Sequence, residues 1–376
     1  MCALINNSTN NILSENVKSL PFSGIRKYFD VSSDVISLGV GEPDFNAPEP
    51  VRIVAAKAVF SQKLSYSANA GTLMLRKAIS EYTYDKINVK YAPENEVLVT
   101  VGGSEAIDLA LRAVIEPGDE IIVPVPSFVC YKPLAELLGG VVKCVKLNDK
   151  WKLDATDLKN AITDKTKAVV LPFPNNPTGS VMNKEDITKI ADVLRGKDIL
   201  IISDEIYAEL TYGERHFSVA QILPEQTLMI NGFSKAFAMT GWRLGYACGP
   251  KWLIRQMLKI HQYGIMCSPT LSQTAAVTAL TDCQEYVDAM KAEYIKRRDF
   301  LFEKLNQIGY PCLLPEGAFY MFIKLPTEDD EKFCEWLVTE KKLAIVPSSA
   351  FGVRGYARIS YAYSMNHLEE AVHRLA

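Results

Sequence analysis

The chain has no long run of charges of one sign and no long apolar segment. Its 376 residues carry a formal net charge of -3, so the positive footprint of a nucleic-acid-binding protein is missing. No apolar stretch approaches the roughly 20 residues that a membrane-spanning helix needs. The N-terminal residues 1–20 also lack the basic and apolar segments of a secretory signal. We therefore expect a cytoplasmic protein with no nucleic-acid partner and no membrane partner.

Patterns of metal ligands and of redox-active thiols are also missing. The eight cysteines form no C-x-x-C pair, and none has a histidine at ligand spacing. The four histidines are spread along the chain. The sequence therefore predicts no metal site, and it predicts thiols that are reduced and mostly buried.

What the sequence does have is the composition of a large globular core. Hydrophobic residues make up 48% of the chain and charged residues 23%, and the length favours two domains. Apolar runs rich in Val and Ile alternate with helical patterns, which predicts an α/β layer with a mainly parallel sheet. The predicted strands lie at 96–101, 120–126, 141–147, 168–174, 199–203 and 227–232.

After about residue 250 the pattern changes to longer helices and a few short strands. Apolar residues recur at helical spacing through 272–309, and short strands are predicted within 316–326, 343–352 and 356–364. This second pattern indicates a smaller α+β unit. We predict an N-terminal segment at 1–45 that joins the small domain, a large domain at 46–280 and a small C-terminal domain at 281–376.

The turn after the first of these large-domain strands is a candidate anion site. In open α/β sheets, ligands bind beyond the carboxyl ends of the strands. Strand 96–101 is followed by Gly102, Gly103 and Ser104 and then by a helix. Glycines let the backbone approach an anion closely, and a helix N-terminus favours a phosphate. The same residues also suit a plain strand-to-helix turn capped by Ser104.

Two further strand ends present polar groups. Strand 168–174 leads into Asn176, whose amide can donate to a phenolate or carboxylate oxygen, although Asn also dominates ordinary turns. Strand 199–203 leads into Asp204, and a carboxylate there needs a partner because a lone buried charge is costly. A protonated pyridine nitrogen is one such partner, with Tyr207 able to bond a ring oxygen. Alternatively, Asp204 only caps the following segment.

The lysine that follows strand 227–232 is the candidate nucleophile. Lys235 stands between two aromatic residues in an apolar segment. Desolvation lowers the pKa of an amine and makes it a usable nucleophile toward an aldehyde. Arg243, eight residues later, carries a guanidinium suited to bidentate phosphate binding. Taken singly a lysine is usually a surface residue, so the hypothesis depends on the whole set.

Six motifs occur together in one order. They are GEPDF at 41–45, GGSEA at 102–106, NPTG at 176–179, SDEIY at 203–207, SKAFAMTGWRLGY at 234–246 and ARISYA at 357–362. Through them the chain resembles the class I/II aminotransferases, over essentially all of its length beyond the first ~15 residues. The resemblance implies pyridoxal 5'-phosphate as cofactor. It also implies transferase fold type I, an α/β fold with a large cofactor-binding domain and a smaller α+β domain.

The resemblance also implies roles for residues, position by position. Lys235 is expected to form the Schiff base with the cofactor and to move the proton at the substrate α-carbon. Asp204 is expected to pair with the pyridine nitrogen, while Tyr207 and Asn176 hold the ring oxygen. The expected phosphate ligands are Gly103, Ser104, Ser234 and Arg243, with the backbone of Glu105 close by.

Further positions match the family's substrate site and its subunit contact. Phe128 lies where the family stacks an aromatic ring on the cofactor, although Trp or Tyr is common there. Arg358 matches the arginine that grips the substrate α-carboxylate, with Gly41 beside it and Asn176 in the same substrate site. Tyr66 resembles the tyrosine that reaches the phosphate of the neighbouring subunit. The resemblance therefore implies a homodimer with shared active sites.

The implied reaction moves an amino group from an L-amino acid to a 2-oxo acid such as 2-oxoglutarate. The sequence resembles the bacterial subgroup with aspartate, aromatic and N-acetyl-diaminopimelate aminotransferases. No second arginine for a side-chain carboxylate can be identified. The aromatic residues Phe22 and Phe319, expected near the pocket, lean slightly toward aromatic substrates unless they are plain core.

Two other classes of enzyme remain as alternatives. A C-S lyase on the same fold uses the same lysine for β-elimination, because fold does not fix reaction. More remotely, the turn at 102–106 resembles the nucleophile elbow of an α/β hydrolase.

Overall fold

The computed structural model describes residues 12–29 and 31–376. Predictions for Cys2 and for residues 1–11 of the N-terminal segment lie outside this part. The helices are α1 (Glu15–Lys18), α2 (Glu49–Ser61), α3 (Leu73–Ile87), α4 (Gly103–Val114), α5 (Tyr131–Leu137), α6 (Ala155–Ala161), α7 (Lys184–Leu194), α8 (Lys251–Gly264), α9 (Thr270–Asp282), α10 (Gln284–Gln307), α11 (Asp330–Glu340) and α12 (Met365–Leu375). The strands are β1 (Ile36–Ser37), β2 (Val97–Thr100), β3 (Glu120–Val125), β4 (Val141–Lys146), β5 (Thr166–Leu171), β6 (Leu200–Asp204), β7 (Thr227–Gly232), β8 (Gly245–Cys248), β9 (Tyr320–Lys324), β10 (Leu343–Ala344), β11 (Val346–Pro347) and β12 (Tyr356–Ser360).

A seven-stranded sheet forms the centre of the α/β layer, in the order β2-β8-β7-β6-β5-β3-β4. The strands from β7 to β4 in this order pair in parallel, whereas β8 is antiparallel to both β2 and β7. The expected mainly parallel sheet is therefore confirmed. Strand β8 was not predicted, because its four residues do not form a run of Val and Ile like those of the other strands.

The sheet is covered on both faces, which explains the continuous apolar runs in its sequence. Ile202 of β6 belongs to a buried cluster with α4 and α8, on one face. Its neighbour Ile201 belongs to a second cluster with α7, on the other face. Every residue of β2, β3, β6 and β7 is buried, so alternate side chains along each strand enter different cores.

The N-terminal segment packs against the C-terminal part of the chain. Strand β1 pairs in parallel with β10, and Tyr28 and Leu38 share a buried cluster with Phe319 and Tyr361. Strands β11, β12 and β9 form a separate three-stranded antiparallel sheet in that part. The pairing of β1 with β10 is followed by Gly41, whose carbonyl contacts Lys235 at the edge of the large sheet. The domain boundaries at 45/46 and 280/281 stay predictions.

The helical pattern through 272–309 is interrupted, contrary to the single long segment predicted. Helix α9 ends at Asp282 and α10 begins at Gln284. The intervening Cys283 has φ -119° and ψ 21°, outside the helical range, so the helix breaks there. No Gly or Pro marks this break in the sequence, and periodicity alone therefore missed it.

The described residues also allow the predictions about membrane spans and about cysteine thiols to be compared with the structure. No helix among them combines the length and the apolar character that crossing a membrane requires. Their cysteines are all free; Cys248, Cys283 and Cys334 are buried, but Cys144 is exposed. The prediction that the thiols are mostly buried was therefore too general, since the remaining ones are half-buried.

Strand β8 passes directly beneath the turn after β2, which gives a test of the packing. A Cβ at Gly245 would lie 2.6 Å from the carbonyl carbon of Gly102 and 2.7 Å from the nitrogen of Gly103. Gly245→Ala is therefore expected to lower the free energy of unfolding by about 1–3 kcal/mol, measured by urea denaturation. Gly264→Ala, at the end of α8, is the matched control because nothing lies within 4 Å of its added Cβ. Equal stability of the two variants would contradict this packing.

Candidate active site

The sheet topology brings the candidate residues to one edge. The carboxyl ends of β2, β3, β5, β6 and β7 all lie there, because these strands share one direction. Lys235 follows β7 at this edge, and Asp204 ends β6 beside it. Since β8 runs the other way, its amino end lies at the same edge and places Arg243 with the others. Residues spread over the large domain therefore meet.

A cavity of about 440 Å³ opens at this edge, within the size range of small-molecule sites. The predicted site residues that line it are Gly41, Gly103, Ser104, Phe128, Asn176, Asp204, Tyr207, Ser234, Lys235, Arg243 and Arg358. Two predicted residues, Glu105 and Tyr66, do not line it. The cavity thus joins the sheet edge to the N-terminal segment and to β12.

The amine of Lys235 is the nucleophile that the geometry offers. Its Nζ donates to the carbonyl oxygen of Gly41 at 2.7 Å and lies 5.8 Å from the ring centre of Phe319. Burial lowers the pKa of Lys235 to about 8, while the carboxylate of Glu42 acts in the opposite direction. About a tenth of the amine is therefore unprotonated at pH 7, far more than for a lysine in water, and this is the form that attacks an aldehyde.

The carboxylate of Asp204 is buried, with 8% of the residue exposed. It accepts a hydrogen bond from the Tyr131 hydroxyl at 2.7 Å and another from the Ile206 N–H at 3.3 Å. Burial raises the pKa of Asp204, and these two hydrogen bonds oppose that rise. A protonated ring nitrogen in the cavity is the partner that would keep this carboxylate ionised.

The turn after β2 forms a cradle for an anion. Gly102 has φ 79°, and α4 begins at Gly103 with its N-terminus toward the cavity. A Cβ at Gly102 would lie only 2.8 Å from a terminal nitrogen of Arg243, so the guanidinium packs directly against this backbone. The hydroxyl residues Ser104 and Ser234 line the same space. Helix N–H groups, hydroxyls and a guanidinium together suit a phosphate.

The side chain of Glu105 supports this cradle from behind. Its carboxylate accepts from the backbone N–H of Val101, and Oε1 lies 2.7 Å from Nδ1 of His261 on α8. His261 is fully buried. The side chain therefore fixes the turn to a neighbouring helix, while the role expected of the Glu105 backbone toward the phosphate stays a prediction.

Arg358 is a fully buried guanidinium at the opposite side of the cavity. It donates through Nη1 to Oδ1 of Asn176 at 2.8 Å and through Nη2 to the carbonyl of Gly39. The ring of Tyr320 stacks on it, 4.4 Å from Cζ. These contacts fix the plane of the guanidinium, which suits recognition of a carboxylate. The carbonyl of Gly39, rather than that of Gly41, is the one that bonds Arg358.

Sequence reasoning missed two tyrosines of the site. Tyr131 bonds Asp204, and the hydroxyl of Tyr320 lies 2.7 Å from that of Tyr207. Tyr131 follows the predicted Phe128 by three residues, which was an available signal. Tyr320 was read only as part of a strand. Burial raises the pKa of Tyr207, so its hydroxyl stays protonated and able to donate.

The two aromatic residues expected near the pocket behave differently. Phe319 is fully buried beside the Lys235 amine, as its 5.8 Å distance shows. Phe22 is fully exposed and does not line the cavity. The expectation for Phe22 was wrong. Phe22 lies outside the predicted helices and strands, so no helical or strand periodicity in the sequence could show whether its side chain is buried.

Comparison with known proteins identifies the family. The model of the family "Aminotransferase class I and II" matches residues 33–375. The chain belongs to this family. This aminotransferase is 40% identical over 372 residues to a Bacillus subtilis relative named "Probable N-acetyl-LL-diaminopimelate aminotransferase", covering 97% of this chain and 95% of the relative. It is also 40% identical over 379 residues to the aspartate aminotransferase of Pyrococcus abyssi, covering 96% and 97%.

A solved structure extends the likeness to the fold. The aromatic aminotransferase of Pyrococcus horikoshii matches this aminotransferase with a TM-score of 0.89 at 40% identity, over 93% of this chain and 97% of that one. The expected transferase fold type I is therefore confirmed. Enzymes of this family depend on pyridoxal phosphate, and the anion cradle, Asp204 and Lys235 fit that cofactor. The α/β hydrolase alternative was wrong.

The bond between Tyr131 and Asp204 can be tested by removing one hydroxyl. In Tyr131→Phe the buried carboxylate loses a donor, so its pKa rises further. We expect the affinity for pyridoxal phosphate to fall about 10- to 100-fold, the size of one hydrogen bond to a charged group. Binding should also be lost at a higher pH on the acid side. Tyr91→Phe is the control, because among the described residues its buried hydroxyl has no partner. Indistinguishable pH profiles would remove this role.

The lowered pKa of Lys235 predicts how the protein takes up its cofactor. Only the unprotonated amine attacks an aldehyde, so the reaction rate should rise with pH through about 8 and level off above it. Stopped-flow absorbance of the cofactor-free protein with pyridoxal phosphate between pH 6 and 10 measures this. A midpoint near 10.5, the ordinary value for lysine, would mean that the amine is not desolvated.

Proposed function

We propose that this aminotransferase moves the amino group of an aromatic, aspartate-like or N-acetyl-diaminopimelate-like L-amino acid to a 2-oxo acid such as 2-oxoglutarate. One observation carries the proposal. A desolvated amine, that of Lys235, and a carboxylate-binding guanidinium, that of Arg358, line the same cavity with a buried carboxylate, that of Asp204. An α-amino acid or a 2-oxo acid has the matching groups.

When bound, pyridoxal phosphate supplies a ring that withdraws electrons from the substrate α-carbon. Lys235 would take the proton from that carbon onto Nζ and release it to the cofactor rather than to the substrate, and a pKa near 8 suits both taking up and releasing a proton near neutral pH. Asp204 would pair with the ring nitrogen of the cofactor and keep it protonated. The carbonyl of Gly41 accepts a hydrogen bond from the Lys235 amine and so fixes the direction of the amine.

Arg358 and Asn176 set the orientation of the substrate. The α-carboxylate binds Arg358, whose plane is already fixed by Asn176 and by the ring of Tyr320. A carboxylate held there would keep the α-carbon inside the cavity that Lys235 also lines. Tyr207 would donate to the ring oxygen of the cofactor, and Tyr320, whose hydroxyl lies 2.7 Å from that of Tyr207, holds the Tyr207 hydroxyl in place.

A panel of L-amino acids with 2-oxoglutarate tests the reaction class. We expect tyrosine, phenylalanine or aspartate to be converted only when the oxo acid is present, because transamination needs an acceptor. Formation of glutamate or of the product oxo acid is followed by mass spectrometry. Release of pyruvate and ammonia from cystathionine without any acceptor, with no transamination of the panel, would instead support the C-S lyase.

We also propose a homodimer in which Tyr66 completes the site of the other subunit. Tyr66 is 81% exposed and does not line the cavity of its own chain. Leu64 and Ile265 line one shallow pocket with Tyr66, and their side chains are also exposed. An apolar patch of this kind marks an interaction surface. The cytoplasmic location stays a prediction.

Mixing two impaired variants tests the shared site. If Lys235 and Tyr66 serve one site from different subunits, a heterodimer of Lys235→Ala and Tyr66→Ala contains one intact site. Co-refolded variants should therefore be more active than either variant alone, and light scattering should give about twice the chain mass of 41.8 kDa. Heterodimers that form, as shown by native mass spectrometry, but gain no activity would contradict the shared site.

A further inference from the structure

The last two residues of the motif GEPDF, Asp44 and Phe45, have no role in the proposed chemistry. Both contact Arg297, which lies in α10. Arg297 is buried, with 6% of the residue exposed, so its charge needs partners inside the protein. Its Nη1 donates to Oδ1 of Asp44 at 2.8 Å, and its Nε donates to Oε1 of Glu293 at 3.2 Å. Glu293 is on the same helix, whereas Asp44 belongs to the stretch of chain that reaches the cavity.

The chain before Asp44 leads directly to the amine of Lys235. The carbonyl of Gly41, three residues before Asp44, accepts the hydrogen bond from Nζ at 2.7 Å. Only Glu42 and Pro43 lie between them, and the ring of Pro43 fixes one backbone dihedral. A connection this short and stiff passes a displacement of Asp44 on to Gly41.

A second set of contacts leads from Arg297 to another side of the amine. Its guanidinium lies 5.8 Å from the ring centre of Tyr294, which is fully buried. Tyr294 packs on Phe319 with ring centres 5.5 Å apart, and the ring of Phe319 lies 5.8 Å from Nζ of Lys235. The ring of Phe45 packs edge-to-face on Tyr294 at 5.6 Å. Arg297 is therefore connected to the amine along two routes, one through its ion pair and one through aromatic packing.

We propose that the ion pair of Asp44 and Arg297 positions the amine of Lys235. The pair holds the Gly41 carbonyl against the amine and keeps the surrounding rings packed, so that water stays out. This inference rests on the proposed function, in which Lys235 is the reacting amine. Neither Asp44 nor Arg297 lines the cavity, so both are positioning residues that act through the residues lining it.

The pH dependence of cofactor capture by the full chain tests this role. In Asp44→Ala the stretch that carries Gly41 loses its bond to Arg297, and water gains access to the amine. Burial is the largest cause of the lowered pKa of Lys235, so we expect the midpoint of the capture rate to rise by about one pH unit. At pH 7 the capture rate should then fall about tenfold. Stopped-flow absorbance with pyridoxal phosphate between pH 6 and 10 measures both.

The loss of the Asp44 charge does not by itself produce this rise. Removing a carboxylate near an amine lowers the pKa of the amine, which is the opposite direction. The variants keep the four charged groups that act most strongly on the amine of Lys235, which are Glu42, Arg358, Arg243 and Asp204. A higher midpoint therefore reports that water has reached the amine.

Glu293→Ala is the matched control, because it removes the other carboxylate that pairs with Arg297 and has no connection through the chain to Gly41. It should leave the midpoint unchanged. Asp44→Asn keeps an acceptor oxygen without the charge, so its midpoint should lie between those of Asp44→Ala and the unchanged protein.

Arg297→Lys keeps a buried charge but offers no fork of donors, so it should also raise the midpoint. It replaces Asp44→Ala if that variant does not fold. In the double variant the midpoint should rise no further than in either single variant, because the two residues act as one pair.

Three results would overturn the inference. They are an unchanged midpoint in Asp44→Ala, an equal rise in Glu293→Ala, and effects of Asp44→Ala and Arg297→Lys that add in the double variant. Failure of the proposed function is a separate result, in which the unchanged protein captures the cofactor with a midpoint near 8 but transfers no amino group from any amino acid of the panel.

Discussion

The desolvated amine of Lys235 is the group on which the rest of the site depends. The rings of Phe319 and Tyr207 lie 5.8 and 5.9 Å from it, and the carbonyl of Gly41 accepts its hydrogen bond. This environment lowers the pKa of the amine to about 8. A lysine in water would be almost entirely protonated at neutral pH, and it could neither attack an aldehyde nor remove a proton from carbon.

Three distant parts of the chain are needed to build that environment. The parallel strands place Asp204 and Lys235 side by side, and the antiparallel β8 adds Arg243 at its amino end. The pairing of β1 with β10 then closes the N-terminal segment over the sheet edge, so that Gly39 meets Arg358 and Gly41 meets Lys235. No one of these three parts therefore provides the substrate site alone.

The sequence predicted the parts of this arrangement that are local. Strands such as β6 are buried on both faces, so a run of Val and Ile identifies them, and the residue after the run is at the ligand-binding edge. Contacts between distant residues leave no such pattern. The bond of Tyr131 to Asp204, that of Arg358 to the carbonyl of Gly39 and that of Lys235 to the carbonyl of Gly41 emerged only from the fold. The break at Cys283 was missed because it involves no helix-breaking residue.

The most direct measurement of the central claim is to locate the residue that becomes attached to the cofactor. The protein is incubated with pyridoxal phosphate, reduced with borohydride, digested and analysed by mass spectrometry. The site described here predicts one stable adduct, on the peptide that contains Lys235, together with loss of the visible absorbance. An adduct on another lysine, or a reconstituted protein with neither chromophore nor adduct, would contradict it.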